Sequence, residues 1–112
     1  MRIDYKDNKL RKQCTLLSVA KKNMPEKVAK KLLQLVNFID AADNLSSVIS
    51  NPVYHFHQLK GDKRGLYAMD IDGRRKPQRL LVTFDDKDNN QIFQQSITII
   101  EIRIEEVSNH YE

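Results

Sequence analysis

Two histidines and a short run of cationic residues stand together in the middle of this 112-residue chain. His55 and His57 are two positions apart, so both imidazoles would point to one face of an extended strand. Histidine titrates near neutral pH and can carry a proton in catalysis. Lys60, Lys63 and Arg64 follow, with a glycine on each side of the last two. This group either moves protons beside a bound anion or forms an ordinary solvated surface.

A second cationic group follows the Asp72-Gly73 pair and consists of Arg74, Arg75, Lys76 and Arg79. Arginine suits this position because its guanidinium can hold a phosphate with two parallel hydrogen bonds. The first three residues come directly after a predicted tight turn, so we expect them to be exposed and mobile. Arg79 begins a predicted strand, which would hold its side chain more firmly.

The end of the chain supplies a third group, His110 and Tyr111. Chain ends commonly fray. These two residues, however, directly follow the most regular strand pattern in the sequence, so they could be held at a sheet edge.

The sequence contains no convincing metal site. Zinc usually needs three or four protein ligands, and no spaced cluster completes the histidine pair. Asp86, Asp88 and Asn90 resemble the start of a calcium loop, but Gln91 and Ile97 stand where that loop needs glycine and glutamate. We therefore expect neither a metal nor another cofactor.

The net charge of +4 is unevenly distributed along the chain. Residues 60–79 contain seven Lys or Arg and three Asp or Glu, whereas residues 80–112 contain two basic and seven acidic residues. A clustered basic segment suits a polyanionic or an acidic protein partner, although many basic surfaces are only solvated. The chain has a single cysteine, Cys14, no apolar run long enough to span a membrane and no signal-peptide core. A cytoplasmic protein with a buried thiol is the expectation.

The hydrophobic period changes from helical to alternating near residue 53. Leu10, Cys14 and Leu17 lie on one face of a first predicted helix, and residues 25–42 form a second. Polar residues 44–52 then predict a loop. Four strands are predicted over residues 53–59, 66–71, 79–84 and 97–107. We expect one α+β domain, residues 1–112, with two N-terminal helices packed on a small, largely antiparallel sheet and the other sheet face at least partly open to solvent.

These motifs together resemble a known family. The run FHQLKGDKRGLY at residues 56–67 is similar to the pattern LHxLKGDRKGxW/Y of HigB-type toxins, also called plasmid maintenance killer proteins, of the RelE/ParE superfamily. The run PQRLLVTF, which ends at Phe84, is similar to their strand WRITF, and residues 109–111 fall near their closing DYH. The resemblance covers nearly the whole chain and implies the RelE-like form of the fold described above.

The resemblance also implies an activity, ribosome-dependent cleavage of messenger RNA without a metal. The positions that match the family's catalytic residues are His57, Lys60, Arg79 and His110. In that activity Lys60 and Arg79 would stabilise the phosphate, and the two histidines would act as base and acid in an order left open. Tyr111 would stack on a base or orient the substrate. Five cations would bind the RNA backbone: Lys63, Arg64, Arg74, Arg75 and Lys76.

The implied partners are a HigA-type helix-turn-helix antitoxin, the ribosome with its mRNA, and operator DNA only through the antitoxin complex. Two alternatives stay open, since a fold does not define a function. One is a ParE-like toxin that inhibits DNA gyrase by protein contact, and the other is a degenerate homologue that only binds antitoxin. The chain departs from the family pattern at Gln78, Ser108 and Asn109, close to matched catalytic positions.

Overall fold

A computed structural model describes residues 1–63, 65–85 and 89–109, without the side chains of residues 89 and 90. Over these residues the chain forms five α-helices and five strands. The helices are α1 (Asn8–Thr15), α2 (Leu17–Ala20), α3 (Glu26–Ala41), α4 (Leu45–Ile49) and α5 (Asn89–Gln94). The strands are β1 (Arg2–Tyr5), β2 (His57–Gln58), β3 (Tyr67–Asp70), β4 (Arg79–Thr83) and β5 (Glu101–Ser108).

The strands form one sheet in the order β1-β5-β4-β3-β2. The pairs β2–β3, β3–β4 and β4–β5 are antiparallel, and β1 pairs with β5 in parallel. The predicted α+β class and the largely antiparallel sheet are therefore confirmed. A register shift between Leu81 and Val82 places an extra residue in β5, so Glu106 lies opposite Leu81 and Ser108 opposite Arg79.

The main core lies between the helices and one face of the sheet. Its members are apolar side chains at helical spacing in α1 and α3 and at alternate positions in the strands, among them Leu10, Leu32, Met69, Leu80 and Ile104. The other face carries a second, small cluster of Leu59, Ala68 and Leu81, with Leu66 packed against it. This second face is the open face of the sheet only in part, because Glu101 and Glu106 of β5 are exposed whereas Asp70, Arg79 and Leu81 of β3 and β4 are buried. It also carries His57, which pairs with Ala68.

The first helix is shorter than its apolar pattern predicted. Asp7 begins α1, because its carboxylate accepts a hydrogen bond from the backbone N–H of Leu10 at 2.8 Å. Leu16 then adopts an extended conformation, with φ −121° and ψ 115°, and ends α1. Leu17 therefore belongs to the short α2. Helix α3 matches the second predicted helix within a residue at each end.

Three segments differ from the predicted elements. Residues 45–49, predicted as part of a loop, form α4, which begins at Asn44 because its side chain caps the N–H of Ser47. The loop after β4 contains α5, whose Ile92 is buried in the main core. The last predicted strand begins at Glu101 rather than at residue 97. Ile97 and Ile100 precede it and stay 69% and 58% exposed, although the carbonyl of Ile100 accepts a hydrogen bond from the backbone N–H of Arg2 at 2.8 Å.

Candidate nucleic-acid interface

The basic loop of residues 59–66 is closed at its base on the open face of the sheet. The backbone N–H of Leu59 donates to the carbonyl of Leu66 at 3.0 Å, and the N–H of Leu66 donates to the carbonyl of Lys63 at 3.1 Å. Leu59 is buried beside Leu81, which fixes the first residue of the loop against β4. Lys60 is exposed just beyond this anchor. The loop therefore presents Lys60 next to a fixed base.

Glycine is needed at both turns of this loop. Gly61 has a φ of 70° and Gly65 a φ of 96°, in the left-handed region that residues with a Cβ rarely adopt. Between them lies a 3-10 turn, Gly61–Lys63. The carbonyl of Gly65 accepts a hydrogen bond from the Thr83 hydroxyl at 3.3 Å. The two glycines thus permit the reversal that returns the chain from Lys60 to Leu66.

The two histidines lie ring against ring, but not for the reason predicted. Residues 53–59 do not form one strand, because Pro52–Tyr54 is a 3-10 helix and His55 has a left-handed φ of 46°. His57 begins β2, and its Nδ1 lies 2.7 Å from the carbonyl oxygen of His55. The imidazole centroids are 4.4 Å apart with 27° between the ring planes. A carbonyl oxygen can only accept, so Nδ1 of His57 carries the proton and the lone pair of the neutral ring is on Nε2.

Arg74 extends this pair from the segment that follows the neighbouring strand β3. It lies in the connection between β3 and β4, which runs from Ile71 to Gln78 and is longer than the tight turn that Asp72-Gly73 predicted. Its Nη2 donates to Nδ1 of His55 at 3.0 Å. Burial lowers the pKa of His55, and the nearby charges of His57 and Arg74 lower it further. The hydrogen bond requires a neutral Nδ1 on His55, because a guanidinium can only donate.

Arg79 is held in the interior by Asp70. The two side chains are 5% and 1% exposed, and Nε of Arg79 lies 3.1 Å from Oδ1 of Asp70. The remaining guanidinium nitrogens donate to backbone carbonyls of the β3–β4 connection. These are the carbonyls of Gly73, Lys76 and Gln78 from Nη1 and of Arg74 from Nη2. The ion pair therefore lies beneath the segment that presents Arg74.

The structure gathers some of the predicted residues and leaves others apart. His57 lies in β2, and Lys60 and Lys63 lie in the loop that directly follows it. Arg75 and Lys76 are exposed on the β3–β4 connection beside Arg74. The side chain of Arg79 is buried and donates to backbone carbonyls of the same connection. Arg64, His110 and Tyr111 lie outside the described residues, so their predicted roles stay predictions.

Asp70 was missed by sequence reasoning, although a signal was present. It is the one charged residue in the apolar run Tyr67–Ile71. A carboxylate within a buried strand needs a partner, because an isolated buried charge is strongly unfavourable. The first basic residue of the next strand is Arg79, and β3–β4 pairing places it directly opposite Asp70. Charge combined with strand register could have identified the pair.

The described residues offer neither a metal site nor a membrane-spanning helix. No three or more His, Cys, Asp or Glu side chains there lie close enough together to hold a metal ion. None of the helices described has the length and apolar character needed to cross a membrane.

Solved structures share this fold. The chain superimposes on the YoeB–YefM complex from Staphylococcus aureus with a TM-score of 0.55 and 20% identity, covering 99% of this chain and 98% of that one. The YoeB dimer from S. aureus gives a TM-score of 0.52 and 21% identity, with the same coverage of both chains. YafQ from E. coli strain BL21(DE3) gives a TM-score of 0.50 and 18% identity, covering 97% of this chain and 93% of that one. No protein-family model and no curated protein matches the sequence. At these identities the likeness concerns the fold, and the chain has the α+β fold of the YoeB and YafQ structures.

Proposed function

We propose that this protein is the toxin of a type II toxin–antitoxin pair and that it cleaves messenger RNA on the ribosome. One observation carries the proposal, the contact of His57, His55 and Arg74 on a sheet face bordered by the basic loop 59–66. This arrangement puts a half-buried, proton-transferring group beside the exposed cations Lys60 and Arg74, where a long polyanion can bind. The shared fold with YoeB supports the proposal.

Metal-independent RNA cleavage needs a base, a cation and an acid. The base takes the proton of the ribose 2′-hydroxyl, a group that DNA lacks. We assign this step to Nε2 of His57, because its Nδ1 proton is held by the carbonyl of His55. Lys60 stabilises the additional charge that develops on the attacked phosphate. His110 protonates the departing 5′-oxygen, an assignment that rests on the family resemblance.

The remaining cations bind the RNA backbone. Lys63 and Arg64 belong to the basic loop, and Arg74, Arg75 and Lys76 belong to the β3–β4 connection. These cations come from the two segments of the chain that connect β2 to β3 and β3 to β4. Contacts of this kind supply affinity without sequence preference and weaken as salt concentration rises. Tyr111 stacks on a base in this proposal, as aromatic side chains do in other single-strand binding sites.

The proposed partners follow from the same resemblance. One YoeB structure is a complex with YefM, which makes an antitoxin partner a natural proposal for a chain with that fold. We propose a HigA-type helix-turn-helix antitoxin, with operator DNA bound only through the toxin–antitoxin complex. The protein would act in the cytoplasm, where its mRNA and ribosomes are.

Induced expression followed by primer extension on cellular transcripts tests the proposal. The wild-type chain should arrest growth and produce new 5′ ends at codon-related positions. His57→Ala should lose both effects, whereas Lys27→Ala, an exposed lysine on the helical side, should retain them. Purified protein should cut mRNA only when ribosomes are added. Arrest without new transcript ends would contradict the nuclease assignment.

The alternatives predict different outcomes in the same experiment. A gyrase inhibitor would arrest growth with DNA damage signalling, and His57→Ala together with His110→Ala would leave the arrest unchanged. A degenerate homologue that only binds antitoxin would cause no arrest. Each result would replace the nuclease proposal with a binding function.

A further inference from the structure

The family resemblance implies that Arg79 touches the phosphate, but its surroundings favour another role. Its Nε is paired with the buried Asp70 carboxylate, and Nη1 and Nη2 donate to four backbone carbonyls. The ion pair at Nε and the hydrogen bonds from Nη1 and Nη2 together engage all three guanidinium nitrogens. To bind a phosphate outside, Arg79 would have to leave its buried partner and release the β3–β4 connection. Leaving Asp70 charged and unpaired in the interior is strongly unfavourable.

We propose that Asp70 and Arg79 are positioning residues that hold the β3–β4 connection so that Arg74 reaches the histidine pair. Nη2 of Arg79 donates to the carbonyl of Arg74 at 3.0 Å, and the Arg74 side chain donates to His55 at the same distance. His55 in turn accepts from His57 through its carbonyl. A continuous set of contacts therefore joins the buried ion pair to the proposed base. The expected effect on RNA binding rests on the proposed function, whereas the role of the ion pair in holding the β3–β4 connection does not.

Replacing Asp70 by asparagine separates the two roles of Arg79. If Arg79 only positions the connection, Asp70→Asn removes the charge that keeps the guanidinium in place. The connection then loosens and RNA binding weakens. If Arg79 binds phosphate itself, the same change frees a guanidinium and RNA binding stays equal or becomes tighter. The two roles thus predict opposite signs, and Asp70, at 1% exposure, does not itself present a surface to RNA.

Glu101→Gln provides the matched control. It makes the same carboxylate-to-amide change in the same sheet, at an exposed ion pair of Arg2 and Glu101 with 3.5 Å between Nη1 and Oε1. Both variants and the wild type would be measured by backbone ¹⁵N relaxation. Their affinity for a short 2′-O-methyl RNA, which lacks the attacking hydroxyl, would be measured by fluorescence anisotropy.

For Asp70→Asn we expect the order parameters of residues 73–78 to fall from about 0.85 to below about 0.6, while those of β4 and β5 stay high. The RNA affinity should fall roughly tenfold, and its salt dependence should become shallower, because Arg74 no longer has a fixed place. Glu101→Gln should change neither quantity. A rigid connection in Asp70→Asn overturns the inference, and so does a mobile connection with unchanged or tighter RNA binding.

A measurement on the wild type covers the case in which Asp70→Asn does not fold. The Nε–H resonance of Arg79 should stay in place when the 2′-O-methyl RNA is added, while that of Arg74 shifts. A shift of Arg79 as large as that of Arg74 overturns the inference. If the wild type binds no RNA, the proposed function fails. The relaxation data then decide whether the ion pair holds the connection, and hydrogen exchange of the wild-type Arg79 Nε–H decides it if Asp70→Asn does not fold. Slow exchange supports that role, and exchange as fast as that of Arg74 overturns it.

Discussion

Arg74 donates a hydrogen bond from Nη2 to Nδ1 of His55 at 3.0 Å, although the two residues are 19 positions apart in the chain. The contact joins the β3–β4 connection to the histidine pair that precedes the basic loop. It also defines the protonation state of His55, because a guanidinium cannot accept a hydrogen bond from the imidazole. His55 must be neutral at Nδ1 for the contact to exist.

Arg74→Ala should therefore raise the pKa of His55 toward the ordinary histidine value of about 6.5. In the native protein that pKa is lowered by burial and then by the charges of His57 and Arg74. NMR titration of the His55 imidazole measures the change, and Arg75→Ala is the neighbouring control. A pKa of His55 that does not rise in Arg74→Ala would mean that the contact is absent in solution.

The same lowered pKa predicts how stability depends on pH. Between the folded pKa of His55 and about 6.5, the unfolded chain binds more protons at this residue than the folded protein does. The contribution of His55 to stability is complete above that window and is lost as pH falls through it. Urea unfolding at several pH values should show a decrease in this range that is smaller in Arg74→Ala. An equal decrease in both proteins would assign it to other groups.

Lys60→Ala should weaken binding of the 2′-O-methyl RNA similarly for different sequences. Lys60 is exposed on the loop that follows β2, so the variant removes a charge and little packing. The slope of log affinity against log salt concentration should decrease by about 1. Lys27→Ala removes an equally exposed lysine from α3 and should leave the slope unchanged. Equal effects of the two variants would show that RNA responds only to net charge.

Leu81→Ala should destabilise the protein and loosen the basic loop. Leu81 is fully buried beneath Leu59 on the open face, so a cavity would form under the loop anchor. Leucine-to-alanine changes at such sites cost about 2–5 kcal/mol. Leu16→Ala, at a residue 48% exposed, should change the free energy of unfolding by less than about 0.5 kcal/mol. Chemical denaturation measures both, and similar values for the two variants would contradict the packing of Leu81.

Cys14 should resist thiol reagents at neutral pH in the folded protein. Its side chain is 1% exposed, and burial raises its pKa to about 12. Little of the reactive thiolate is then present, and the reagent has no access to it. The absorbance released by a chromogenic thiol reagent at neutral pH should show slow labelling of Cys14 in the native protein and rapid labelling in denaturant. Rapid labelling of the native protein would mean that α1 opens readily.

The periodicity of apolar residues was sufficient for the architecture. Spacing of three and four residues over 25–42 predicted α3, and alternation around Ile102 and Ile104 predicted β5. Burial of one face dictates these patterns locally, so they can be read without knowing the partner element. The buried state of Cys14 followed from the same argument. Where local chemistry competes with the pattern, as at the left-handed His55, the predicted strand was wrong.

The candidate site depended on tertiary contacts. Sequence identified His57, Lys60 and the cations of residues 74–76 by type and motif. It could not show that Arg74 would bond to His55, or that Arg79 would turn inward to Asp70. Strand register and the path of the β3–β4 connection decide those contacts, and both depend on how the whole sheet packs against the helices. Residue type therefore revealed the chemistry available, and the folded sheet decided which of the described cations face outward and that Arg79 lies in the interior.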